Sequence, residues 1–193
     1  MKRQLYAVLS FLILSQTAVA DDKRTPEELL KGQLNAVIEI LQKKEMDQQA
    51  KNRKIVEIVD PLFDFSIMAK LALGKKYWPG LSKEKKERYT ELFTNRLKTS
   101  YIDKLILYTD EKIVYKTPVQ VKNKIHIPTG LVSKDNNISM LYKFYKSNCG
   151  WKIYDVEIQG VSIVSSYRSQ FKEVLGNGTI DDLLLKLEKP ENK

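Results

Sequence analysis

Apolar positions along this chain recur first at helical spacing, then at strand spacing, then at helical spacing again. Leu30, Leu34, Val37 and Leu41 fall three and four apart, as on one face of a helix. The start of that helix is written just before them, with Thr25 as the cap, Pro26 at the first helical position and Glu28 at the third. A second helix is predicted from about Gln48 to Val59, burying Ile55, Ile58 and Val59, with Pro61 ending it. Asp64 is placed to cap a short third helix that carries Phe65, Met68, Ala69 and Ala72 and closes at Gly74. Ser82 opens a long fourth helix with the stripe Tyr89, Leu92, Phe93, Arg96, Leu97, Tyr101 and Leu105.

The period then shortens to two. Ile113, Tyr115, Thr117, Val119 and Val121 alternate, with Pro118 marking an edge position or a bulge. Ile125 to Leu131 and Ile138 to Phe144 alternate next, separated by turn-rich residues, and Asn148-Cys149-Gly150 makes another turn. In the last strand Tyr154, Val156 and Ile158 form the buried set, and Ile153, Asp155 and Glu157 point the other way. Gly160 interrupts the run. After it Val161, Val164, Tyr167, Phe171 and Val174 return to helical spacing, and Thr179 can cap a final helix with Leu183, Leu184 and Leu187. Helices, then strands, then helices predict an α+β fold: an antiparallel meander of about four strands, covered by N-terminal and C-terminal amphipathic helices that enclose an apolar pocket. No repeat or interdomain linker divides it.

The first 20 residues are expected to be a signal peptide rather than structure. Lys2 and Arg3 precede a short apolar run from Leu5 to Leu14, and Ala18-Val19-Ala20 offers a small-residue cleavage site. The run is too short to span a bilayer, which takes roughly 20 residues. This leaves a single domain over 21–193, expected to be exported. Cys149 is the one cysteine, so no internal disulfide can form. It reads as a turn residue, or as a thiol able to pair between chains.

The formal charge of +9, from 33 basic and 24 acidic residues, suits anionic lipid surfaces or acidic partners. Export disfavours nucleic acid as a partner, and the densest basic run, Lys83 to Arg88, is interrupted by Glu84 and Glu87, as on a solvated helix face. With one histidine, His126, expected to face solvent, and one cysteine, the chain has no zinc set and no Cys/His dyad. It also lacks a glycine-rich phosphate loop and a Gly-x-Ser-x-Gly elbow.

Several short blocks then stand in a definite order. Pro61-Leu62-Phe63-Asp64-Phe65, Met68-Ala69, Leu73-Gly74 and Trp78 come first, followed by Tyr89, Phe93, Leu97 and Tyr101 on the long helix. Trp151-Lys152, Asp155-Val156, Gly160-Val161-Ser162 and Tyr167-Arg168-Ser169-Gln170-Phe171 complete the series. In order and spacing, over about residues 27–187, the chain resembles the MlaC (toluene-tolerance) family. The resemblance implies a monomeric periplasmic carrier that holds phospholipid by its acyl chains between sheet and helices, with the lipid as cargo and no cofactor. It also implies exchange with an inner-membrane ABC transporter complex carrying an MCE-domain protein, and with an outer-membrane lipoprotein–porin complex.

The physics is compatible with that role. At about 0.8 kcal/mol per methylene, exposing two long acyl chains to water costs on the order of 20 kcal/mol, and an apolar pocket with no catalytic group removes that cost. Candidate lining residues are Phe93, Leu97, Tyr101, Tyr142, Phe144, Tyr154, Val156, Ile158, Val161 and Val164, each with plain core packing as its alternative. Asp155 and Arg168 form the polar part of the signature, read as a structural ion pair or cap, with a lipid phosphate as the second reading for Arg168. Two other functions stay open: a pocket enzyme of the ketosteroid-isomerase type, needing a titratable carboxylate inside the pocket with Asp155 as the candidate, and a basic adhesion or structural module with a filled core.

Overall fold

The computed structural model describes residues 24–105, 112–132 and 137–189, with the backbone alone described at 101–105. The expected signal segment lies outside them. Helix α1 spans Pro26–Leu41 and begins as the sequence predicts: Thr25 accepts from the Glu28 amide at 3.2 Å, and Glu28 accepts from the Thr25 amide at 2.8 Å. Helix α2, Gln48–Val59, is capped by Asp47 and runs into a 3-10 turn at Asp60–Leu62. Helix α3, Phe65–Leu73, takes its cap from Asp64, which accepts the Ile67 amide at 2.9 Å, and it ends at Gly74, whose φ of 83° suits glycine. Helix α4, Lys83–Leu105, is the long one, opened by Ser82.

Among the described residues six strands follow, two more than expected. β1 (Lys112–Tyr115) and β2 (Val119–Val121) divide the first alternating run around Pro118, and both pair with the same edge of β3 (Lys124–Val132). β4 (Asn137–Ser147), β5 (Gly150–Ile158) and the two-residue β6 (Val161–Ser162) continue the sheet, with every neighbouring pair antiparallel. The fold is therefore α+β with a meander, as expected. α5 (Ile163–Asn177) and α6 (Ile180–Glu188) complete it.

Two local details overturn the reading of the last strand and its exit. Lys143 pairs with Asp155 but Phe144 pairs with Ile153, so β5 carries one extra residue, a β-bulge at Tyr154. The bulge resets the alternation. Ile153 and Val156 both face the core, while Tyr154 and Asp155 turn to the other face. Strict parity placed Tyr154 with Val156 and excluded Ile153. Beyond β5, Gln159 and Gly160 have φ of 51° and 78° and form a two-residue hairpin turn, so Gly160 does not lead directly into a helix. Val161 belongs to β6, and the helix begins at Ile163 with Ser162 as its cap.

The interior has two parts. The main core takes Tyr89, Phe93, Tyr167 and Phe171 from α4 and α5, with Met68, Ala69 and Ala72 from α3 and Ile127, Phe144 and Ile153 from the sheet. The four rings interlock with centroid separations of 5.3 to 6.2 Å. A small second cluster, Val37, Ile40 and Ile55, closes the α1–α2 hairpin. Arg96, placed by its spacing on the apolar stripe of α4, instead donates to the Lys186 and Leu187 carbonyls at the end of α6. That interaction satisfies carbonyls that a helix C-terminus leaves without partners.

Candidate functional site

An apolar pocket of about 400 Å³ lies between the sheet and the N-terminal helices. Its floor is the inner face of the sheet: Leu131 of β3, Ile138, Met140 and Tyr142 of β4, and Ile153, Val156 and Ile158 of β5. The bulge at Tyr154 is what allows Ile153, Val156 and Ile158 to share that face. Opposite stand Leu30, Leu34 and Val37, the stripe of α1 that the capping box starts in register. Val59, Leu62, Phe63, Phe65 and Met68 close one side, and Leu97 of α4 and Ile163 of α5 close another.

Among the described residues, four that line the pocket are polar: Gln33, Asp60, Lys98 and Ser166. Asp60 and Lys98 form an ion pair whose side chains are 34% and 26% exposed, which places it where the pocket meets water. The Ser166 hydroxyl is turned back, donating to the Ser162 carbonyl at 2.9 Å. Tyr142 is buried, its hydroxyl 3.6 Å from the Met140 sulfur, and burial raises its pKa far above the phenolic range. It therefore offers the pocket a neutral ring. Among the described residues no cluster of His, Cys, Asp and Glu is placed to hold a metal ion. The size falls within the range of small-ligand pockets, roughly 300–1,000 Å³, and the wall is that of a site for an apolar guest.

The family model for the MlaC protein matches residues 31–189, most of the chain. The chain belongs to the MlaC family. It is similar to the intermembrane phospholipid transport system binding protein MlaC of Haemophilus influenzae, 22% identical over 191 residues that cover 94% of this chain and 88% of that protein. Its fold is similar to that of a phospholipid-binding protein of Ralstonia solanacearum, solved in complex with a phospholipid, at a TM-score of 0.75. That match covers 86% of this chain and 96% of the other at 20% identity, so it bears on the fold.

The residues of the MlaC resemblance divide between pocket, core and scaffold. Leu97, Tyr142, Val156, Ile158 and Val161 line the pocket, Val161 at 60% exposure on its rim. Phe93, Phe144 and Val164 are buried in the main core and do not line it. The Tyr101 side chain lies outside the described part. Tyr154 stands on the outer face, its hydroxyl 3.1 Å from His126 Nε2 and its ring edge-on to Tyr145. His126, expected in solvent, is thereby half-buried, and burial together with Lys143 and Lys124 lowers its pKa.

Asp155 and Arg168 are not partners of each other. Asp155 accepts from Lys143 Nζ at 3.0 Å, the Ser162 hydroxyl at 2.8 Å and the Val164 amide at 3.2 Å. It therefore fastens β5 to the N-terminus of α5, where a negative charge also meets the helix dipole favourably. The Asp-Val and Gly-Val-Ser parts of the signature are two sides of this one joint. Arg168 donates from Nε to the Leu71 carbonyl at 2.8 Å, tying α5 to the last turn of α3. Neither residue lines the pocket. The motif also gave Asp64 as a cap, and the structure adds that it accepts the Tyr145 hydroxyl.

Sequence reading missed Leu30, Leu34 and Val37 as lining, because a helix stripe looks the same over a void as over a core. It missed Ile153 because the extra residue at Tyr154 has no glycine or proline to announce it. Asp60 and Lys98 were invisible as a pair, being 38 positions apart.

Proposed function

We propose that this protein is a periplasmic phospholipid carrier that holds acyl chains in the pocket between the sheet and α1. The observation that carries the reading is the pocket itself, an apolar space of about 400 Å³ inside a domain whose neighbouring core is closely filled. Apolar wall of this extent left to water is costly unless something apolar covers it. The name of the Haemophilus influenzae relative and the phospholipid bound by the Ralstonia solanacearum protein support the choice of occupant. The carriage is between an outer-membrane lipoprotein–porin complex and an inner-membrane ABC transporter complex with an MCE-domain protein, and it maintains outer-membrane lipid asymmetry. The signal segment over 1–20 delivers the chain to that compartment.

The chemistry asked of the protein is exchange of one apolar environment for another, so no bond is made or broken. The carboxylate that a pocket enzyme would have used, Asp155, is engaged by Lys143, Ser162 and the Val164 amide away from the lining. The test is mass spectrometry of an organic extract of protein purified from its native host. Phospholipid near one molecule per chain is the expected result. An extract free of phospholipid would contradict the reading.

A further inference from the structure

Core and pocket account for the inner face of the sheet and leave its other face over. Alternation fixes what that face carries. Ile113 pairs with Leu131 of the pocket wall, and Ile127 is buried in the core. Lys112 and Val114 of β1, and Lys124 and His126 of β3, therefore point the other way. Val119 and Val121 of β2 pair with His126 and Lys124 and share their face. Val114, Val119 and Val121 are 47%, 52% and 40% exposed, three of the five large apolar side chains exposed among the described residues. Exposed apolar groups gathered on neighbouring strands, rather than scattered singly, mark a contact surface.

The charge on these strands has one sign. Residues 112–132 include Lys112, Lys116, Lys122 and Lys124 and no acid. Lys112, Lys116 and Lys122 are exposed, and Lys124 Nζ lies 4.1 Å from the centre of the Tyr154 ring. The two acids of β5, Asp155 and Glu157, are both engaged by Lys143. Lysines on an edge strand guard it against pairing with another chain, but that role does not call for exposed valines beside them.

The type of cation indicates the partner. From 112 to 162 every basic side chain but His126 is lysine, with no arginine. Protein–protein interfaces favour arginine, whose planar fork grips a carboxylate, and are depleted in lysine. A lysine is a compact charge on a flexible stem and suits many loosely placed anions, as on an anionic lipid surface. The valines are short, which suits contact at the depth of the headgroups.

We propose that the outer face of β1, β2 and β3 docks this protein on an anionic bilayer, with Lys112, Lys116, Lys122 and Lys124 meeting lipid phosphates around the three valines. The pocket lies on the opposite side of the sheet, so this contact does not cover it. The docking is independent of what the pocket holds and goes beyond the carrier reading.

The test is flotation of the full exported chain, as purified, with vesicles of phosphatidylcholine alone or mixed with phosphatidylglycerol, at physiological and at high ionic strength. At physiological ionic strength the parent should bind the phosphatidylglycerol vesicles about tenfold more tightly than the neutral ones, and high salt should remove most of that preference. Changing Lys112, Lys116, Lys122 and Lys124 together to Gln should abolish the preference, since each lysine near an anionic surface contributes about fivefold in affinity. Changing the exposed helix and turn lysines Lys43, Lys44, Lys75 and Lys172 to Gln removes the same charge and should leave it within about twofold, because the attraction is screened within about 8 Å. Thermal unfolding shows whether each variant is folded. If the first set is not, the pairs Lys112→Gln with Lys116→Gln and Lys122→Gln with Lys124→Gln are assayed separately, and each should lose about threefold or more. Equal binding of the parent to both vesicle types would overturn the proposal and leave this face to an acidic protein. An equal loss in the two four-lysine sets would overturn it as well, since net charge alone would then be acting.

Discussion

The filled core and the pocket are both apolar, and they end in opposite states. Around α3, α4 and α5, aromatic rings set edge to face fill the space, and Tyr89, Phe93 and Phe144 have no exposure. Between α1 and the far end of the sheet the facing residues are Leu34, Leu131, Ile138 and Met140, and the space is open. Aliphatic and thioether side chains adapt to a variable guest, whereas interlocked rings specify one arrangement. The ring-filled part is therefore the scaffold, and the open part is where the proposed cargo would be accommodated. The polar signature belongs to the scaffold: Asp155 and Arg168 join α5 to β5 and to α3.

The largest expected difference between the parts is in truncation. Phe93→Ala should cost about 3–5 kcal/mol, because a ring is lost and a new cavity stays behind. Leu34→Ala at the pocket should cost about 1 kcal/mol in the delipidated protein, since its side chain already borders a void and no new cavity forms. Chemical denaturation of both variants checks this, and equal costs would erase the distinction.

The scaffold joint comes next. Asp155→Ala strips partners from the Val164 amide, the Ser162 hydroxyl and Lys143, and should cost about 2–3 kcal/mol. Arg168→Ala loses one donor to the Leu71 carbonyl from an exposed side chain and should cost about 0.5–1 kcal/mol. Lipid occupancy of the folded fraction should be unchanged in both. Selective loss of lipid from Arg168→Ala at unchanged stability would return that residue to the headgroup.

The smallest effect is a pH dependence at His126. Burial, then Lys143 and Lys124, lower its folded-state pKa below the ordinary 6.5, while Glu157 and Asp155 oppose them weakly. The unfolded chain then binds the proton first. The contribution of His126 is fully present above about 6.5 and is lost as the pH falls from there through the folded value. Stability measured at pH 7.5 and pH 5 should fall less in His126→Gln than in the parent. An identical fall would show that His126 is as hydrated in the fold as in the unfolded chain.

The helices were the legible part of this fold because their ends are chemically marked: Thr25 with Glu28, Asp64 with Gly74, Ser82, and Thr179. The meander was legible from its alternation. What the pattern could not supply was the register change at Tyr154, which rests on one unpaired residue, and so the side of β5 that faces the pocket was half misread. Nor could it separate Leu97, which lines the pocket, from Phe93 one turn earlier in the filled core, because burial imposes the same spacing on both. The void is a property of how α1 stands off the sheet, and no single residue encodes it.

Val156→Trp tests the central distinction most directly. Val156 is 3% exposed, paired with Tyr142 across the sheet, and lines the pocket. In a filled core the added indole would overpack and cost about 1–3 kcal/mol. In a cargo pocket it takes space that an acyl chain would occupy. Thermal unfolding of the delipidated variant beside the delipidated parent, with extracted phospholipid measured on both as purified, gives the answer. The account predicts near-parent stability and a loss of most bound phospholipid. A strongly destabilised variant, made in a parent that carries no phospholipid, would show that this interior is an ordinary core.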